Sequence, residues 1–375
     1  AQYIKQEEER PKPFQFRTEP YAHVTRQDYT ARLNKFIAKI MGEINADTGK
    51  PEPPTSEQLV ILNKVKCRLI AEFALSKEDI REVPEHIHEE VHGKDALEPL
   101  RGLIHGLPGT GKSRVIKWIR RMFEEALEWE HGVQFICVAF QNRMAASIGG
   151  NTLHNAGDLP KPGEKTERKL NSSDVMNLYA KNQNLRWILI DEISMVADQL
   201  LGTFESCMDG ASVESKYSKR RDGSRVVMGG YNLLFFGDWW QLPPIPDTYA
   251  LFLPPTNSKC KQQEVALDIF WGNGPDSLNF LAELTIQKRI EDEWYASMLA
   301  ECRDGNLSHE NFCFLRGLPT LHTGSWYRDE KGMDKWLCTN QNCVKLPDKW
   351  IEMTKRGQTW PELQNMECDV CRQHR

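Results

Sequence analysis

Apolar residues recur along the first part of the chain at the spacing of helices. Residues 1–26 are polar and irregular, which is typical of a tail. From Gln27 to Ala46 a single apolar stripe predicts an amphipathic helix, formed by Leu33, Phe36, Ile37, Ile40, Met41 and Ile44. The breaker "GKPEPP" (49–54) precedes a second predicted helix, capped by Thr55 or Ser56, with inward positions at Leu59, Leu62, Val65, Leu69 and Phe73.

The pattern changes near residue 100, where short apolar runs begin to alternate with helical segments. The runs are "LRGLIHG" (100–106), "VQFICVAF" (133–140), "LRWILID" (185–191), "YNLLFFGD" (231–238) and "LAEL" (281–284). This alternation predicts an α/β fold with a parallel sheet covered on both faces. After about Gly305 the chain becomes rich in Cys, Trp, Lys and Asp. The predicted divisions are a tail and helix (1–54), an α/β lobe (55–305) and a Cys-rich segment (306–375).

Composition sets wide bounds on function. The 375 residues are 40% hydrophobic and 27% charged, which is enough apolar material for one sizeable core. The net charge of −5 neither requires nor excludes nucleic acid, because a DNA-binding enzyme needs only a local basic groove. No run approaches the ~18 apolar residues of a membrane span, and no secretory signal opens the chain, so we expect an intracellular protein without a membrane partner.

The segment "GLPGTGKS" (106–113) fits the phosphate-loop pattern G-x-x-x-x-G-K-[ST] in full. It follows an apolar run and precedes a helical stripe, which is the context that the motif requires. Backbone N–H groups of such a loop surround phosphate oxygens at the positive end of a helix. Lys112 is then expected to reach the β- and γ-phosphates of a nucleotide, and the Ser113 hydroxyl to hold Mg²⁺. The other loop residues expected to contact the nucleotide are Gly106, Gly109, Thr110 and Gly111.

A second chemical element lies in "RWILIDEIS" (186–194), where an apolar run ends in two acids. The end of a buried parallel strand is where ligands bind in open α/β sheets. Asp191 is expected to hold Mg²⁺ through its hydration shell, and Glu192 to orient and deprotonate the attacking water. Taken alone, an apolar run followed by Asp-Glu also marks the exposed end of a strand.

A third element is "FFGDWWQLPPI" (235–245), in which an apolar run ends in a glutamine followed by two prolines. If this run is a strand of the same sheet, Gln241 lies beside the phosphate site and can hydrogen-bond both the water and the γ-phosphate. The alternative is a satisfied polar residue in a turn. Trp239 and Trp240 are candidates for stacking on unpaired bases, although a tryptophan at a strand end is also a common core residue.

Together these stretches resemble the PIF-type DNA helicases and their Helitron-transposon relatives, over about residues 55–305. The resemblance implies a RecA-like ATPase lobe that uses ATP and Mg²⁺, moves on single-stranded DNA and unwinds duplex or forked DNA. It places Gln58 of "SEQ" (56–58) against the adenine base. It also places Arg289 of "LTIQKRIEDEWYASMLAECRDG" (284–305) against the γ-phosphate. Work in DNA repair, recombination, telomere maintenance or transposon mobility, in the nucleus or the mitochondrion, is implied as well.

The stretch "NRMAASIGGNTLHN" (142–155) resembles the family's DNA-contacting motif, with Gln141-Asn142 where many members have Thr-Gly. Thr152 and His154 are therefore candidates for strand contacts, with Trp240 as a third. A hydroxyl and an imidazole beside two glycines let the backbone approach a phosphodiester closely, whereas a capped helix start is the other interpretation. The basic loop "KYSKRRDGSR" (216–225) leaves three interpretations open: a phosphate contact, a solvated loop and a nuclear-targeting signal.

The cysteine spacing near the C-terminus predicts a structural zinc site. "WLCTNQNC" and "ECDVC" supply C-x₄-C and C-x₂-C pairs, and four thiolates can hold Zn²⁺ tetrahedrally. The predicted ligands are Cys338, Cys343, Cys368 and Cys371. Four unrelated thiols in a reducing compartment are the alternative.

Three other functions compete with the helicase hypothesis. The family's second RecA-like lobe is not recognised after Gly305. We therefore expect a fragment, with a partner lobe supplied elsewhere or an ATPase switch that does not translocate as the alternatives. A zinc-stabilised DNA-binding module with a structural ATP site is another possibility. "HEEVH" (88–92) matches the zinc-protease pattern H-E-x-x-H, but Pro84 and Gly93 leave little room for its helix, which favours a solvated polar helix.

Overall fold

The computed structural model describes most of the chain between Val24 and Trp336. The described residues are 24–44, 49, 51–76, 98–159, 172–212, 218–220, 222–245, 250–252, 260–288, 292–316, 326–328, 331 and 334–336. The chain divides into two compact units, with the boundary between Arg289 and Ile290. No helix in the described part is long and apolar enough to cross a membrane. The predicted boundaries of the divisions at 54/55 and 305/306 stay predictions.

The first unit is built from six strands and eight α-helices within the described residues. The helices are α1 (Arg26–Met41), α2 (Ser56–Ser76), α3 (Lys112–Arg121), α4 (Asn142–Ser147), α5 (Leu153–Ala156), α6 (Ser172–Asn182), α7 (Asp198–Ala211) and α8 (Lys261–Trp271). The strands are β1 (Arg101–Gly106), β2 (Phe135–Ala139), β3 (Asn151–Thr152), β4 (Trp187–Asp191), β5 (Asn232–Gly237) and β6 (Phe280–Leu284).

The six strands form one parallel sheet in the order β3-β2-β4-β5-β1-β6. Strands β2, β4 and β5 are buried along their whole length, and β1 is almost so, because helices cover both faces. Successive side chains alternate between two cores: Leu234 and Phe236 face one, while Leu233 and Phe235 face the other. The predicted α/β class with a parallel sheet is confirmed, and β3 is the short strand that the pattern did not indicate.

Helices α1 and α2 pack together against one face of the sheet. The Thr25 hydroxyl caps α1 by accepting the Asp28 N–H at 3.1 Å, and the Tyr29 ring stacks on Phe73 of α2 at 4.2 Å. The predicted stripe of α1 is correct up to Ile40. It is wrong for Met41 and Ile44, which are 44% and 60% exposed, because the helix ends at Met41 before Gly42.

The second unit contains two helices and a short β-ribbon among the described residues. The helices are α9 (Glu293–Asp304), capped by Asp292, and α10 (His309–Leu315), capped by Ser308. The strands β7 (Trp326–Arg328) and β8 (Asp334–Trp336) pair in antiparallel fashion. The four cysteines of the predicted zinc site and the "HEEVH" segment lie outside the described residues, so both stay predictions.

A buried polar cluster joins α2 to the amino ends of the central strands. The Glu72 carboxylate accepts from Arg186 at 2.7 Å, from Arg68 at 3.2 Å and from the Asn232 amide at 2.8 Å. The Asn232 oxygen in turn accepts the Leu100 N–H at 2.8 Å. Burial alone would raise the pKa of Glu72, but the two guanidinium charges outweigh it and hold that pKa below its usual value of 4.5.

We expect Glu72→Ala to lower the free energy of unfolding by about 3–5 kcal/mol, because it leaves two guanidinium groups buried without their carboxylate. The contribution of Glu72 should be present above pH 4.5 and be lost as the pH falls through its lowered folded-state pKa. Urea denaturation at neutral pH and near pH 3 measures both effects. The control Arg32→Ala breaks an exposed pair with Glu128 at 3.3 Å and should cost at most about 1 kcal/mol.

Candidate functional site

The carboxyl ends of the strands place the predicted chemical residues along one edge of the sheet. Thr152 of β3 is in register with Ala139 of β2, which is in register with Asp191 of β4. On the other side, Gly237 of β5 is in register with His105 of β1. Because all these strands are parallel, the loops that follow them meet at this edge.

The phosphate-loop motif forms a turn between β1 and α3. Gly106 ends the strand, and a side chain there would come within 2.8 Å of Leu284 on the neighbouring strand. Gly109 and Gly111 have φ angles of 86° and 87°, which only glycine adopts without strain. The Thr110 hydroxyl donates to the Leu107 carbonyl at 2.8 Å and closes the turn. The N-terminus of α3, a ten-residue helix, therefore faces the site with its positive end.

Lys112 is buried in the first turn of α3 and its ammonium bends back over the loop. Its Nζ atom donates to the Gly106 carbonyl at 2.7 Å and lies 3.3 Å from that of Leu107. Ser113 follows on the exposed side of the same turn. The positive charge is thus held at the mouth of the loop, where it partly opposes the rise that burial causes in the pKa values of both acids at the end of β4.

Gln58 lies against the phosphate loop. Its amide nitrogen donates to the Thr110 carbonyl at 2.9 Å, and its amide oxygen accepts the Thr55 N–H at 2.9 Å. A side chain at Gly111 would lie 2.6 Å from this amide, although the φ angle of 87° is what requires glycine there. The Thr55 hydroxyl accepts the Gln58 N–H, which confirms Thr55 as the cap of α2. The predicted contact of Gln58 with an adenine base stays a prediction.

Asp191, which is buried, and Glu192, which is half-buried, form an acidic pair at the end of β4. Burial and the adjacent charge of Glu192 raise the pKa of Asp191 to about 7, against the opposing charge of Lys112. Burial also raises the pKa of Glu192, and Asp238 adds to this effect. Glu192 has a φ angle of 54°, an unfavourable conformation for a residue with a side chain. The carboxyl edge of the sheet therefore holds two carboxyl groups with raised pKa values, and the charge of one lysine partly offsets the effect of burial.

Asp238 organises the turn after β5 that carries Gln241. This fully buried carboxylate accepts the Gln241 side-chain amide at 3.1 Å and the Trp240 N–H at 3.1 Å. His105, the penultimate residue of β1, lies 3.4 Å from the same carboxylate, and its Nε2 atom accepts the Trp239 N–H at 3.2 Å. The turn is thus tied to the strand that leads into the phosphate loop.

Sequence analysis missed Asp238 and His105 as site residues. The signals were present: Asp238 precedes the two tryptophans, and His105 interrupts an apolar run that is otherwise suited to a buried strand. Neither signal says which partner the side chain has, because the two residues are 133 positions apart in the sequence and meet only through strand pairing.

The segment before Arg289 lies against the phosphate loop. The Lys288 N–H donates to the Gly109 carbonyl at 3.0 Å, and the Gln287 amide donates to the Pro108 carbonyl at 2.8 Å. Arg289 itself lies outside the described residues, so its contact with the γ-phosphate stays a prediction.

The candidate DNA contacts fall into two structural environments. Thr152 caps α5 by accepting the Asn155 N–H, and His154 is half-buried with its ring 6.4 Å from that of Phe140. Trp240 is 70% exposed, whereas the neighbouring Trp239 packs edge-on against Phe270 in the core at 5.6 Å. Of the two tryptophans, Trp240 is the more exposed and is therefore the better candidate for stacking.

The basic loop at 216–225 uses two of its arginines internally. Arg220 pairs with Glu98 at 2.7 Å and with Asp276 at 2.6 Å, and Arg225 pairs with Asp209. Charges that are already paired contribute less to attracting a phosphate backbone. For these two residues the structure favours an internal role over a DNA contact.

Comparison with known proteins identifies relatives of this chain. A family model described as an AAA domain matches residues 90–246. The helicase RRM3 of Saccharomyces cerevisiae is 31% identical over 37% of this chain, and the helicase PIF1 of Mus musculus is 27% identical over 66%. The match with PIF1 of Emericella nidulans is 29% over 54%. All three are named ATP-dependent DNA helicases. This chain is related to the PIF-type DNA helicases.

Solved structures of Pif1 proteins are also similar to part of this chain, and the matched stretch is a minor part of each curated relative. Pif1 from Candida albicans is 21% identical over 73% of this chain, with a TM-score of 0.43. Pif1 from Bacteroides, solved in complex with ADP-AlF3 and single-stranded DNA, is 22% identical over 64%, with a TM-score of 0.40. The chain covers only 18% of RRM3, 24% of PIF1 of Emericella nidulans and 33% of PIF1 of Mus musculus. The activity of this chain is therefore considered below as a proposal.

We expect Asp191→Asn to stabilise the ligand-free protein at pH 8 by roughly 2–4 kcal/mol, because it removes a buried charge. The folded-state pKa of Asp191 is raised, so this carboxyl group does not destabilise the protein at low pH. Its contribution to the free energy of unfolding becomes unfavourable as the pH rises through about 7. The gain should accordingly disappear near pH 4.

Chemical denaturation at the two pH values measures this difference. The control Asp268→Asn changes an exposed carboxyl group of α8 and should shift stability by less than about 0.5 kcal/mol at either pH. An equal gain from Asp191→Asn at both pH values would contradict the raised pKa.

Proposed function

We propose that this chain contains the ATPase lobe of a PIF-type DNA helicase, which hydrolyses ATP and couples hydrolysis to movement on single-stranded DNA. One observation carries the proposal: a phosphate loop, an acidic pair and a glutamine-bearing turn all lie at the same end of one parallel sheet. Lys112 is electrostatically coupled to both acids. The names of the related proteins support the same activity.

The loop and the residues around it supply the binding of ATP. The backbone amides between Gly106 and Lys112 and the N-terminus of α3 suit the phosphates, with Lys112 placed to move its ammonium from loop carbonyls to phosphate oxygens. Ser113 and Asp191 are the residues that would hold Mg²⁺, which neutralises phosphate charge when it is bound. A divalent cation fits beside Asp191, because it would favour the ionised form that burial disfavours.

Glu192 is proposed as the general base. As water attacks the γ-phosphorus, Glu192 takes the proton, and the bond from phosphorus to the oxygen of the departing ADP breaks. The raised pKa suits this role, since a base that is too acidic binds a proton weakly. Gln241, held by Asp238, is proposed to orient the water and to respond to the γ-phosphate, with Arg289 stabilising the charge that develops there.

DNA is proposed to bind at the same end of the sheet. Thr152 ends β3 and His154 follows it, and the exposed Trp240 follows β5 within the turn that Asp238 organises. Movement of the Gln241 turn would therefore reach Trp240 directly. Roles in repair, recombination or genome maintenance belong to this proposal through the family alone.

We expect Glu192→Gln to lower ATP turnover in the presence of single-stranded DNA by about 10²–10⁴-fold, with ATP binding retained. Lys112→Ala and Gln241→Ala should also abolish turnover. The assay compares phosphate release with and without DNA, and the control Glu264→Gln alters an exposed acid of α8. Undiminished turnover in Glu192→Gln would remove it as the base, and turnover indifferent to DNA would favour a switch that does not translocate.

We expect Trp240→Ala to weaken binding of single-stranded DNA by about five- to 150-fold, because one stacked base contributes about 1–3 kcal/mol. Trp240→Phe should retain most of the affinity. Fluorescence anisotropy with a labelled oligonucleotide measures both. The matched control is Leu242→Ala, which removes an equally exposed apolar side chain from the same turn without removing an aromatic face. Equal effects of the two alanine variants would contradict stacking.

A further inference from the structure

Two neighbouring arginines end α3, and each pairs with a glutamate one turn further along the chain. The Arg120 Nε atom donates to Glu124 at 2.7 Å, and the Arg121 Nε atom donates to Glu125 at 2.7 Å. The glutamates lie in the π-helical turn Met122–Ala126 that follows α3. The two side chains are similarly exposed, at 28% and 29%. They differ in what the rest of each guanidinium group contacts.

Arg120 reaches the turn that precedes β3. Its Nη1 atom donates to the Gly149 carbonyl at 2.7 Å and to the Ile148 carbonyl at 3.2 Å. Arg121 instead points to the segment after α1, where its Nη1 atom donates to Glu43 at 2.8 Å. Only one of the two arginines therefore holds the turn that leads into β3.

The turn has a glycine at the position that faces this guanidinium group. Gly149 has a φ angle of 65°, and a side chain there would collide with the Arg120 Nη1 atom. A side chain at Gly150 would collide with the backbone carbonyl of Cys137 in β2. The Gly150 N–H donates to the Ala145 carbonyl at 2.8 Å, which closes the turn from the other side. Gly149 thus leaves the space that Arg120 occupies, and Gly150 lets the turn lie close to β2.

The contact joins the proposed ATP site to the proposed DNA site. Arg120 lies eight residues after Lys112 on the same helix, about 12 Å along its axis. The turn leads directly into Thr152, which is in register with Ala139 and, through it, with Asp191. A rigid helix with the phosphate loop at one end and this turn at the other is a physical path between the sites.

We propose that Arg120 is a positioning residue that fixes the Ile148–Thr152 turn to the phosphate-loop helix and so couples nucleotide binding to the DNA contact at Thr152. The coupling part rests on the proposed function, whereas the positioning part does not. Arg120 touches neither ATP nor the reacting atoms, and acts through the carbonyls of Ile148 and Gly149. The neighbouring Arg121 carries the same charge and the same glutamate spacing but should have no such role.

The first test is hydrogen–deuterium exchange on the whole ligand-free chain. We expect Arg120→Gln to speed exchange of backbone amides in residues 148–152 at least about fivefold, because it removes charge-assisted bonds to two carbonyls. The control Arg121→Gln should leave that exchange unchanged, although it loses a similar ion pair. Equal exchange of the turn in the two variants would overturn the positioning role, whatever the protein does with ATP.

The second test measures the ratio of ATP hydrolysis with and without single-stranded DNA. We expect Arg120→Gln to lower this ratio at least about fivefold and Arg121→Gln to preserve it, with Arg120→Lys intermediate because it keeps the charge but not the fork of donors. Equal ratios for wild type and Arg120→Gln would overturn the coupling. A wild-type rate that DNA does not raise would instead overturn the proposed function, and the exchange result would then decide the positioning role by itself.

Discussion

The parallel alignment of β2, β4, β5 and β1 is the constraint on which the site depends. Because the carboxyl ends of parallel strands meet at one edge, residues far apart in the sequence become neighbours there. Asp191, Asp238 and the phosphate loop each lie at the end of a different strand. The charge of Lys112 acts on both Asp191 and Glu192, and the charge of Asp238 acts on Glu192. An antiparallel neighbour would have sent one of these groups to the opposite edge.

The carboxyl groups at the two ends of the sheet have pKa values shifted in opposite directions. At the amino ends Glu72 has two guanidinium partners and an amide, so its ionised form is favoured. At the carboxyl ends Asp191 and Glu192 lie near a single lysine, and burial outweighs its charge and raises the pKa values of both acids. The first arrangement stabilises the fold. The second arrangement lowers stability, and a bound cation would reduce that cost by favouring the ionised carboxyl groups. Such a trade of stability for function is common at active sites.

Arginines in the described part of the first unit mostly act within the protein. Arg220 joins Glu98 to Asp276, Arg186 and Arg68 join strands to α2, and Arg120 holds a turn. A guanidinium group suits these places because its planar fork can serve several acceptors at once. For this reason a cluster of basic residues in the sequence is a weak guide to a DNA surface, and the proposed DNA contact rests on the exposure of Trp240 instead.

The sequence by itself determined the elements whose signals are local. Apolar runs predicted five strands of the sheet, and "GLPGTGKS" predicted the phosphate loop, since turn, strand end and helix start depend on adjacent residues. Thr55 as a cap and the inward face of α2 followed from spacing in the same way. Arg289 and the zinc cysteines, also read from local motifs, stay predictions because they lie outside the described residues.

Tertiary structure alone decided which side chains meet. The contact of His105 with Asp238, the choice of Trp240 over Trp239 as the exposed ring, and the place of Arg120 beside Gly149 all depend on how strands and helices pack. These contacts join residues that are distant in the chain, and no periodicity or spacing within one segment reports on them. Their energies come from burial and from charge pairing across elements, which exist only after the sheet has formed.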